Sequence, residues 1–212
     1  MPNYLLLALE SALAVFGIRS IYEQPRYEVV ASVGNVEIRR YAPRLGAEVS
    51  VVADIPEKGR NEAFRILADY IFGQNREGAE IPMTTPVATG APAAARPRGR
   101  EIAMTAPVET AGTPDGVIMR FFLPTTVTRD NAPVPNDARV KIVEVPEETI
   151  AALTFSGRGT EEALADNKRE LLGALASSPW HAAEEPYALF YDPPFTLPFL
   201  RRNEVAVRVR RT

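Results

Sequence analysis

Glu80-Ile-Pro-Met-Thr-Thr-Pro-Val87 is nearly repeated 21 residues later as Glu101-Ile-Ala-Met-Thr-Ala-Pro-Val108. Both copies carry Ile, Met, Thr, Pro and Val at the same offsets, which is not the composition of a flexible loop. We interpret them as a duplicated strand-and-turn unit. Because repeat arrays need three or more units to bury a continuous core, two copies predict two edges of one domain and not a solenoid.

The composition is that of an ordinary globular protein. The chain has 212 residues, of which 46% are hydrophobic and 24% charged, enough for one large domain or two small ones, and we favour one. A net charge of -3 and a pI near 5.4 argue against a general nucleic-acid binder. Since the chain has no cysteine, disulfides, thiolate ligands, a cysteine nucleophile and covalent c-type haem attachment are excluded.

An apolar stretch from Leu5 to Ile18 precedes the main domain. It is interrupted by Glu10, follows no basic residue and is too short to span a membrane. We interpret residues 1–21 as an apolar helix that docks on the domain or on a membrane surface, with a cleaved secretory signal as the alternative. The expected location is cytoplasmic, and membrane association or export through this segment is the alternative.

Strand-like alternation begins after this segment and recurs in two blocks, each of which contains one helix. The first helix is predicted from about Arg60 to Phe72 and ends at Gly73, and the second is opened by Thr160. This order implies an α+β domain over residues 22–212, with a distorted antiparallel β-barrel or curved sheet, two helices and a pseudo-twofold repeat. The predicted strands are residues 27–30, 36–41, 45–53, 117–123, 140–145, 149–155, 188–191 and 204–209.

The first predicted helix is more apolar than packing on a sheet requires. Its apolar residues sweep an arc of roughly 240°, whereas a stripe of about 100° is enough to dock one helix. The surplus lies on the side of Phe64, Ala68 and Phe72, bordered by Asn61 and Arg65. From the pattern alone three explanations remain: a lid formed by the N-terminal segment or by the spacer between the repeats, a subunit interface, or the wall of a pocket for a flat apolar ligand.

Five segments together resemble the SOUL/haem-binding protein family, and the chain is similar to its bacterial members. The resemblance runs from about Tyr22 to the end of the chain. It implies a distorted β-barrel flanked by two helices, similar to the ligand-sensing domains of bacterial drug-responsive regulators. The five segments are Tyr70-Ile-Phe-Gly-Gln-Asn75, Met83-Thr-Thr-Pro-Val87, Met104-Thr-Ala-Pro-Val108, Pro193-Pro194-Phe195 and Arg201-Arg202-Asn203-Glu204-Val205.

The resemblance implies reversible, non-covalent binding of haem or another tetrapyrrole in a hydrophobic cleft along the first helix. By this similarity Asn61, Phe64, Arg65 and Ala68 would face the macrocycle. This is the side that the helical pattern had already singled out, and Phe72 extends it by one turn.

The apolar loop from Pro193 to Phe199 has two interpretations. It is a rigid connection whose aromatic side chains cover a sheet end, or it is a second wall of the cleft in which Phe195 and Leu197 contact the ligand. In the second case Arg201, which follows the loop, would steer anionic groups of the ligand.

Two departures from the family concern the haem directly. A histidine thought to ligate iron in one vertebrate branch corresponds to Arg40 here, and a basic residue near the middle of the helix corresponds to Asp69. Arg65, from a neighbouring turn, is the candidate partner of a propionate instead. The only histidine is His181, which we expect at the surface or as a cap, with axial ligation of iron as the alternative. We therefore expect no metal ligand.

The sequence carries no motif of independent catalysis: no phosphate-cradling glycine loop, no Gly-x-Ser-x-Gly elbow and no metal-spaced histidine and carboxylate set. Glu147 and Glu148 are interpreted as solvated charge, and Asn203 and Glu204 as groups that fix the backbone. The leading hypothesis is a carrier or buffer of haem or a related tetrapyrrole. A sensor or carrier of another amphiphilic small molecule is the second, and a haem-dependent or tetrapyrrole-modifying enzyme is the third. The sequence does not predict the oligomeric state.

Overall fold

A computed structural model describes residues 22–76, 99–192 and 196–212. The N-terminal segment, the first repeat copy and Phe195 lie outside these ranges. The helices within them are α1 (Pro56–Ile71) and α2 (Glu161–Ala176), and a short 3-10 turn spans Pro198–Leu200. The strands are β1 (Tyr27–Val33), β2 (Val36–Tyr41), β3 (Arg44–Val52), β4 (Asn75–Arg76), β5 (Val108–Thr113), β6 (Gly116–Phe122), β7 (Val134–Pro135), β8 (Lys141–Val145), β9 (Glu148–Phe155), β10 (Trp180–Ala182), β11 (Tyr187–Phe190) and β12 (Asn203–Arg211).

The described strands form one large antiparallel sheet and one small ladder. The order in the sheet is β1-β2-β9-β12-β11-β5-β6-β3-β8, and β10 pairs with the end of β12. β4 and β7 pair with each other. α1 packs on β3 and β6, whereas α2 packs on β9 and β12, so the central strands β5 and β11 lie between the two helices. The fold is therefore the predicted one, a curled antiparallel sheet with two helices.

One row of paired residues shows that both helices cover the same face of the sheet. Val49, Met119, Thr110, Ala188 and Val205 lie side by side on five neighbouring strands. The first two belong to the core under α1, and the last two belong to the core under α2. Thr110, at the centre of the row, is buried, and its hydroxyl has no hydrogen-bond partner.

The ends of the helices follow from local chemistry. α1 begins at Pro56, one turn before the predicted start, because proline is favoured in the first turn of a helix. It ends, as predicted, where Gly73 adopts a φ of 97°. Thr160 caps α2 as predicted, and its hydroxyl accepts from the backbone N–H of Ala163 (3.3 Å).

The second repeat copy is an extended arm for most of its length, and only its last residue belongs to a strand. The backbone N–H of Ile102 donates to the carbonyl of Ile71 at the end of α1 (2.8 Å). The hydroxyl of Thr105 donates to the carbonyl of Phe122, and β5 begins at Val108. The repeat therefore ties the end of α1 to the end of β6.

Charged side chains are buried on the face of the sheet away from the helices. Glu204 has no exposed surface, and both of its oxygens accept from Arg39 (2.8 and 3.1 Å). Arg202 and the hydroxyls of Tyr191 (2.7 Å) and Thr154 (3.0 Å) also donate to it. Glu204 therefore binds side chains, and the interpretation that it fixes the backbone was wrong.

The sequence-based interpretation of Asn203 is confirmed, whereas that of the Glu147–Glu148 pair holds for only one of the two residues. Asn203 fixes the backbone as expected, since its amide donates to the carbonyl of Gly157 (3.1 Å). Glu147 is exposed, but Glu148 is buried and forms ion pairs with Arg44 and Arg208, so it is not solvated charge. Glu147 lies in the connection before β9, whereas Glu148 is the first residue of that strand, and this separates the two glutamates.

The Arg39–Glu204 pair predicts a pH-dependent loss of stability. Burial by itself would raise the pKa of Glu204, but the hydrogen bonds and charge of Arg39, together with Arg202 and Tyr191, hold that pKa below its ordinary value. Arg39→Met leaves a buried carboxylate without its bidentate partner, and we expect the free energy of unfolding in urea at neutral pH to fall by about 3–5 kcal/mol.

The matched control is Arg40→Met, on the same strand as Arg39. It removes only an exposed pair with Glu28 of β1 and should leave the urea midpoint unchanged. Because the pKa of Glu204 is lowered on folding, its contribution is present above the ordinary carboxyl pKa of 4.5 and is lost as the pH falls below it. The difference between the parent and Arg39→Met should therefore narrow in acid. Equal urea midpoints at neutral pH would refute this account of the pair.

Candidate ligand-binding face of the first helix

α1 has one side that the sheet uses and one that it does not. The sheet buries one side completely, but Phe64 and Phe72 remain 40% and 51% exposed. The apolar surplus predicted from the sequence is therefore present on the helix. The buried residues are Gly59, Ala63, Ile66, Leu67, Tyr70 and Ile71.

Phe64, Ala68 and Phe72 form a line along one flank of α1, here called the aromatic ridge. Their spacing of four residues places them one above the other on the helix surface. The Phe64 ring is held against Phe121 of β6, with 5.4 Å between ring centroids and a tilt of 60°. Ala68 is half-buried, and Phe72 caps the C-terminus. The ridge thus presents ring faces and edges with a small residue between them.

Two adjoining cavities follow the polar edge of this face and share Ile66, Asp69 and Asp137. Asn61 and Arg65 are exposed and line the smaller cavity, of about 480 Å³, which lies between α1 and the segment before β8. The larger, of about 540 Å³, reaches Tyr70, whose hydroxyl donates to the carbonyl of Pro133 (3.0 Å). Burial raises the pKa of Tyr70 to about 12, so it remains a neutral donor. The polar half of the predicted site therefore borders open space.

The charges along these cavities are mixed. Arg139 is paired with Asp137 (2.7 Å) and Glu62 (3.2 Å), and hydrogen bonds from Arg139 hold the pKa of Asp137 below its ordinary value. Lys58 and Arg65 lie on the same edge of α1, about two helical turns apart. Both are cations that line the smaller cavity together with the carboxylates of Glu62, Asp69 and Asp137.

Inward of the ridge, an apolar row crosses the floor between the two helices. Phe121 of β6 pairs with Val108 of β5, which pairs in turn with Phe190 of β11. These residues pack in the cores under the helices. Phe190 lies against Gly159, where an added Cβ would come within 2.5 Å of the ring. The row therefore connects the ridge to the start of α2.

Leu197 lies on the far side of this floor. It precedes the 3-10 turn, which is fixed to the segment before α2 by a bond from the Gly157 N–H to the carbonyl of Pro198 (2.9 Å). The turn leads into β12, and three strand steps separate β12 from β6, roughly 14 Å. The structure brings Asn61, Phe64, Arg65, Ala68 and Phe72 together on one face of α1. The role of Leu197 as a second wall stays a prediction, and Phe195 lies outside the described residues.

His181 is remote from this face. It is exposed on β10, and its Nε2 lies 3.3 Å from the hydroxyl of Thr212. β10 pairs with β12, in the half of the sheet on which α2 packs. Arg40 is also exposed and binds Glu28. Within the ranges that the structure describes, no group of three or more His, Cys, Asp or Glu side chains is arranged to hold a metal ion.

Sequence reasoning missed the far wall of the cavities. Asp137 and Arg139 lie in the segment between β7 and β8, where no periodic pattern marks which side chains face a helix. The nearest sequence signal is the Asp-x-Arg spacing, which allows the two side chains to pair locally, as they do. Their position opposite α1 depends on the fold.

The sequence matches the family model of the SOUL heme-binding protein over residues 22–208. The chain belongs to the SOUL heme-binding protein family. A comparison with curated protein sequences found no match.

Solved structures similar to this SOUL-family chain support the same architecture. The C-terminal domain of EcmrR is similar with a TM-score of 0.55 and 10% identity, over 88% of this chain and 99% of that domain. A protein from Listeria innocua described as a hydrolase is similar with a TM-score of 0.50 and 11% identity, over 85% of this chain and 94% of that one. At these identities the likeness shows the fold alone.

The position of His181 generates a prediction for hemin binding. His181→Ala should leave both the affinity for hemin and the position of the Soret band unchanged, because His181 lies on β10, which pairs with the C-terminal end of β12, whereas the aromatic ridge packs on β6, three strands away from β12 in the sheet. Absorbance titration of the parent and the variant measures both quantities. A lost or shifted Soret band in the variant would instead make His181 an axial ligand.

Proposed function

We propose that this protein binds haem or a related tetrapyrrole reversibly, with the macrocycle lying on the exposed face of α1. The observation that carries the proposal is the aromatic ridge, since Phe64 and Phe72 stay exposed on a helix whose other side already fills the core. Large apolar side chains exposed in a contiguous patch are typical of a binding surface. Membership of the SOUL heme-binding family supports haem as the ligand class.

The energetics of a flat ligand on this face do not require a bond to iron. Burying on the order of 400 Å² of apolar surface at about 25 cal/mol per Å² contributes on the order of 10 kcal/mol before the costs of association. Micromolar binding requires about 8 kcal/mol, and a rigid planar ligand loses little conformational freedom when it binds. An open face that binds in this range suits a carrier or buffer, because the ligand is released as well as captured.

Charge along α1 predicts the orientation of the macrocycle. The apolar part covers the aromatic ridge, and the propionates extend toward the cavity lined by Asn61 and Arg65. Arg65 forms a charge-assisted hydrogen bond with a propionate, which is stronger than a bond between neutral groups. Asp69, one turn further along the same edge, repels a carboxylate. The propionates therefore point toward the N-terminal half of the helix.

The first test compares a substitution in the ridge with one on the other helix. Phe64→Asp removes one of the two rings of the ridge and adds a charge beneath the macrocycle, so we expect the dissociation constant for hemin to rise about tenfold or more. Leu172→Asp is the matched control, because Leu172 on α2 has the same exposure, 40%, and lies on the other half of the sheet. Soret titration measures both.

A second ridge variant, Phe72→Asp, guards against a folding defect at Phe64, because Phe72 lies outside the buried core and at the C-cap. Far-UV circular dichroism establishes that each variant is folded before titration. If both ridge variants fold and bind hemin like the parent, the macrocycle does not lie on this face.

A separate prediction concerns the propionates. Arg65→Glu should weaken hemin about tenfold, while the dimethyl ester of hemin, which has no carboxylates, should bind parent and variant alike. Arg169→Glu on α2 is the control, since this exposed arginine lies on the other helix. Equal weakening of both ligands by Arg65→Glu would mean that the arginine contributes packing and not charge.

A second candidate function is the transport or sensing of another amphiphilic small molecule. It is favoured by the chemistry of the face, which offers the exposed rings of Phe64 and Phe72 beside a cation, Arg65, and so suits other flat molecules with an anionic end. Both candidates predict that metal-free protoporphyrin binds about as well as hemin, so competition by molecules that are not tetrapyrroles separates them. Displacement of hemin by apolar dyes of unrelated shape would favour this candidate. The third, a haem-dependent or tetrapyrrole-modifying enzyme, requires turnover by the complex above that of free hemin.

A further inference from the structure

One end of the sheet carries exposed apolar side chains away from the centre of the α1 face. At this end β5 begins at Val108, β11 ends at Phe190 and β12 begins at Asn203, and we call it the turn end because the 3-10 turn projects from it. Phe199, in that turn, is 71% exposed, and Leu197 before it is 37% exposed. Large apolar side chains exposed together at a tip are typical of a binding surface.

Backbone hydrogen bonds hold the turn in place. The N–H of Leu200 donates to the carbonyl of Leu197 (2.9 Å), and the N–H groups of Arg201 (3.1 Å) and Gly157 (2.9 Å) both donate to the carbonyl of Pro198. The turn is thereby fixed to the segment that leads into α2. Phe199 is consequently presented at a defined position outside the core.

Guanidinium groups flank the apolar tip. Arg158 is exposed and follows Gly157, to which the turn is bonded. Arg201 follows the turn directly, and its Nε donates to the carbonyl of Thr196 (2.8 Å). An apolar tip flanked by two arginines is complementary to the surface of an anionic bilayer, where aromatic rings enter the headgroup region and cations contact phosphates.

The N-terminal part of the chain joins the domain at this same end. Glu23 bridges to Thr105, and its carbonyl accepts from the N–H of Ala106 (3.0 Å), two residues before β5 begins. Residues 1–21 precede this point, and their sequence is apolar from Leu5 to Ile18. Phe72 is also found here, because α1 ends beside Ile102 of the arm that leads to Thr105. The exposed apolar side chains and the point where the apolar N-terminal sequence joins the domain therefore lie at the same end of the sheet.

We propose that the turn end docks on an anionic lipid bilayer, with Phe199 and Leu197 entering the headgroup region and Arg158 and Arg201 contacting lipid phosphates. In the part of the chain that the structure describes, no helix is long and apolar enough to cross a membrane. The proposal does not rest on tetrapyrrole binding. The two proposals are connected in space, because Phe72 lies at the docking end.

Flotation of the full-length chain with vesicles of phosphatidylcholine and phosphatidylglycerol tests the docking. We expect the parent to float with these vesicles. Phe199→Asp should lower the partition coefficient about tenfold or more, because the variant loses the free energy of burying a phenylalanine side chain and gains a negative charge. Val52→Asp is the matched control. Val52 is 81% exposed and ends β3 opposite Gly116, at the other end of the sheet, so this variant should float like the parent.

A fluorescence readout reports insertion directly. Trp180→Phe removes the only tryptophan, and Phe199→Trp in that background should show a blue shift of its emission on anionic vesicles. The proposal is overturned if the parent does not float, if Phe199→Asp floats as well as the parent, or if vesicles of phosphatidylcholine alone bind equally well. Hemin affinity in the absence of vesicles should be the same for Phe199→Asp and the parent, so the failure of one proposal is distinguishable from the failure of the other.

Discussion

The pairing of β5 with β11 fixes the distance between the two helices and thereby the exposure of the candidate site. It joins the two halves of the sheet and inserts two strands between the pairs that carry the helices. Four strand steps separate the centre of the β3–β6 pair from that of the β12–β9 pair, roughly 19 Å, whereas packed helices lie about 8–10 Å apart. The long side chains of Arg60 and Glu161 bridge the helices, but α2 is too distant to cover the flank of α1. The aromatic ridge is exposed for this reason.

An exposed ridge over a packed floor favours a particular kind of binding. The Phe64 ring is supported by Phe121, so the surface is rigid before any ligand arrives. The polar edge beside it borders open cavities, so carboxylates or other charged groups can remain hydrated. Affinity then comes mostly from flat apolar contact, which discriminates weakly between macrocycles with and without iron. Exchange of the ligand is easier from such a face than from a closed pocket, and Phe72 of the ridge lies at the turn end of the sheet.

The buried charges perform a different task, on the opposite face of the sheet. Arg39 on β2 and Glu204 on β12 join the second and last strands of the described chain through a bidentate pair, although β9 lies between those strands. Glu148 joins Arg44 and Arg208 in the same way. Such pairs stabilise little relative to apolar packing, but they are costly to break, because each leaves an uncompensated buried charge. They constrain the curled sheet without contributing to the candidate site.

Periodicity and capping signals along the chain predict both helices, eight of the twelve described strands and the sidedness of α1, because these signals depend on neighbours in sequence. They did not predict the short strands β4, β7 and β10, nor β5, whose pairing with β11 separates the helices. Phe64, Ala68 and Phe72 were identified as surplus from their spacing alone, and Gly73 and Thr160 ended and began helices where expected. The packing of the described residues adds that Phe64 and Phe72 stay exposed, that Asp137 and Arg139 lie across a cavity from the polar edge of α1, and that Glu148 is buried while Glu147 is not. Those outcomes depend on strands far apart in sequence and on the spacing of the sheet, which no local pattern encodes.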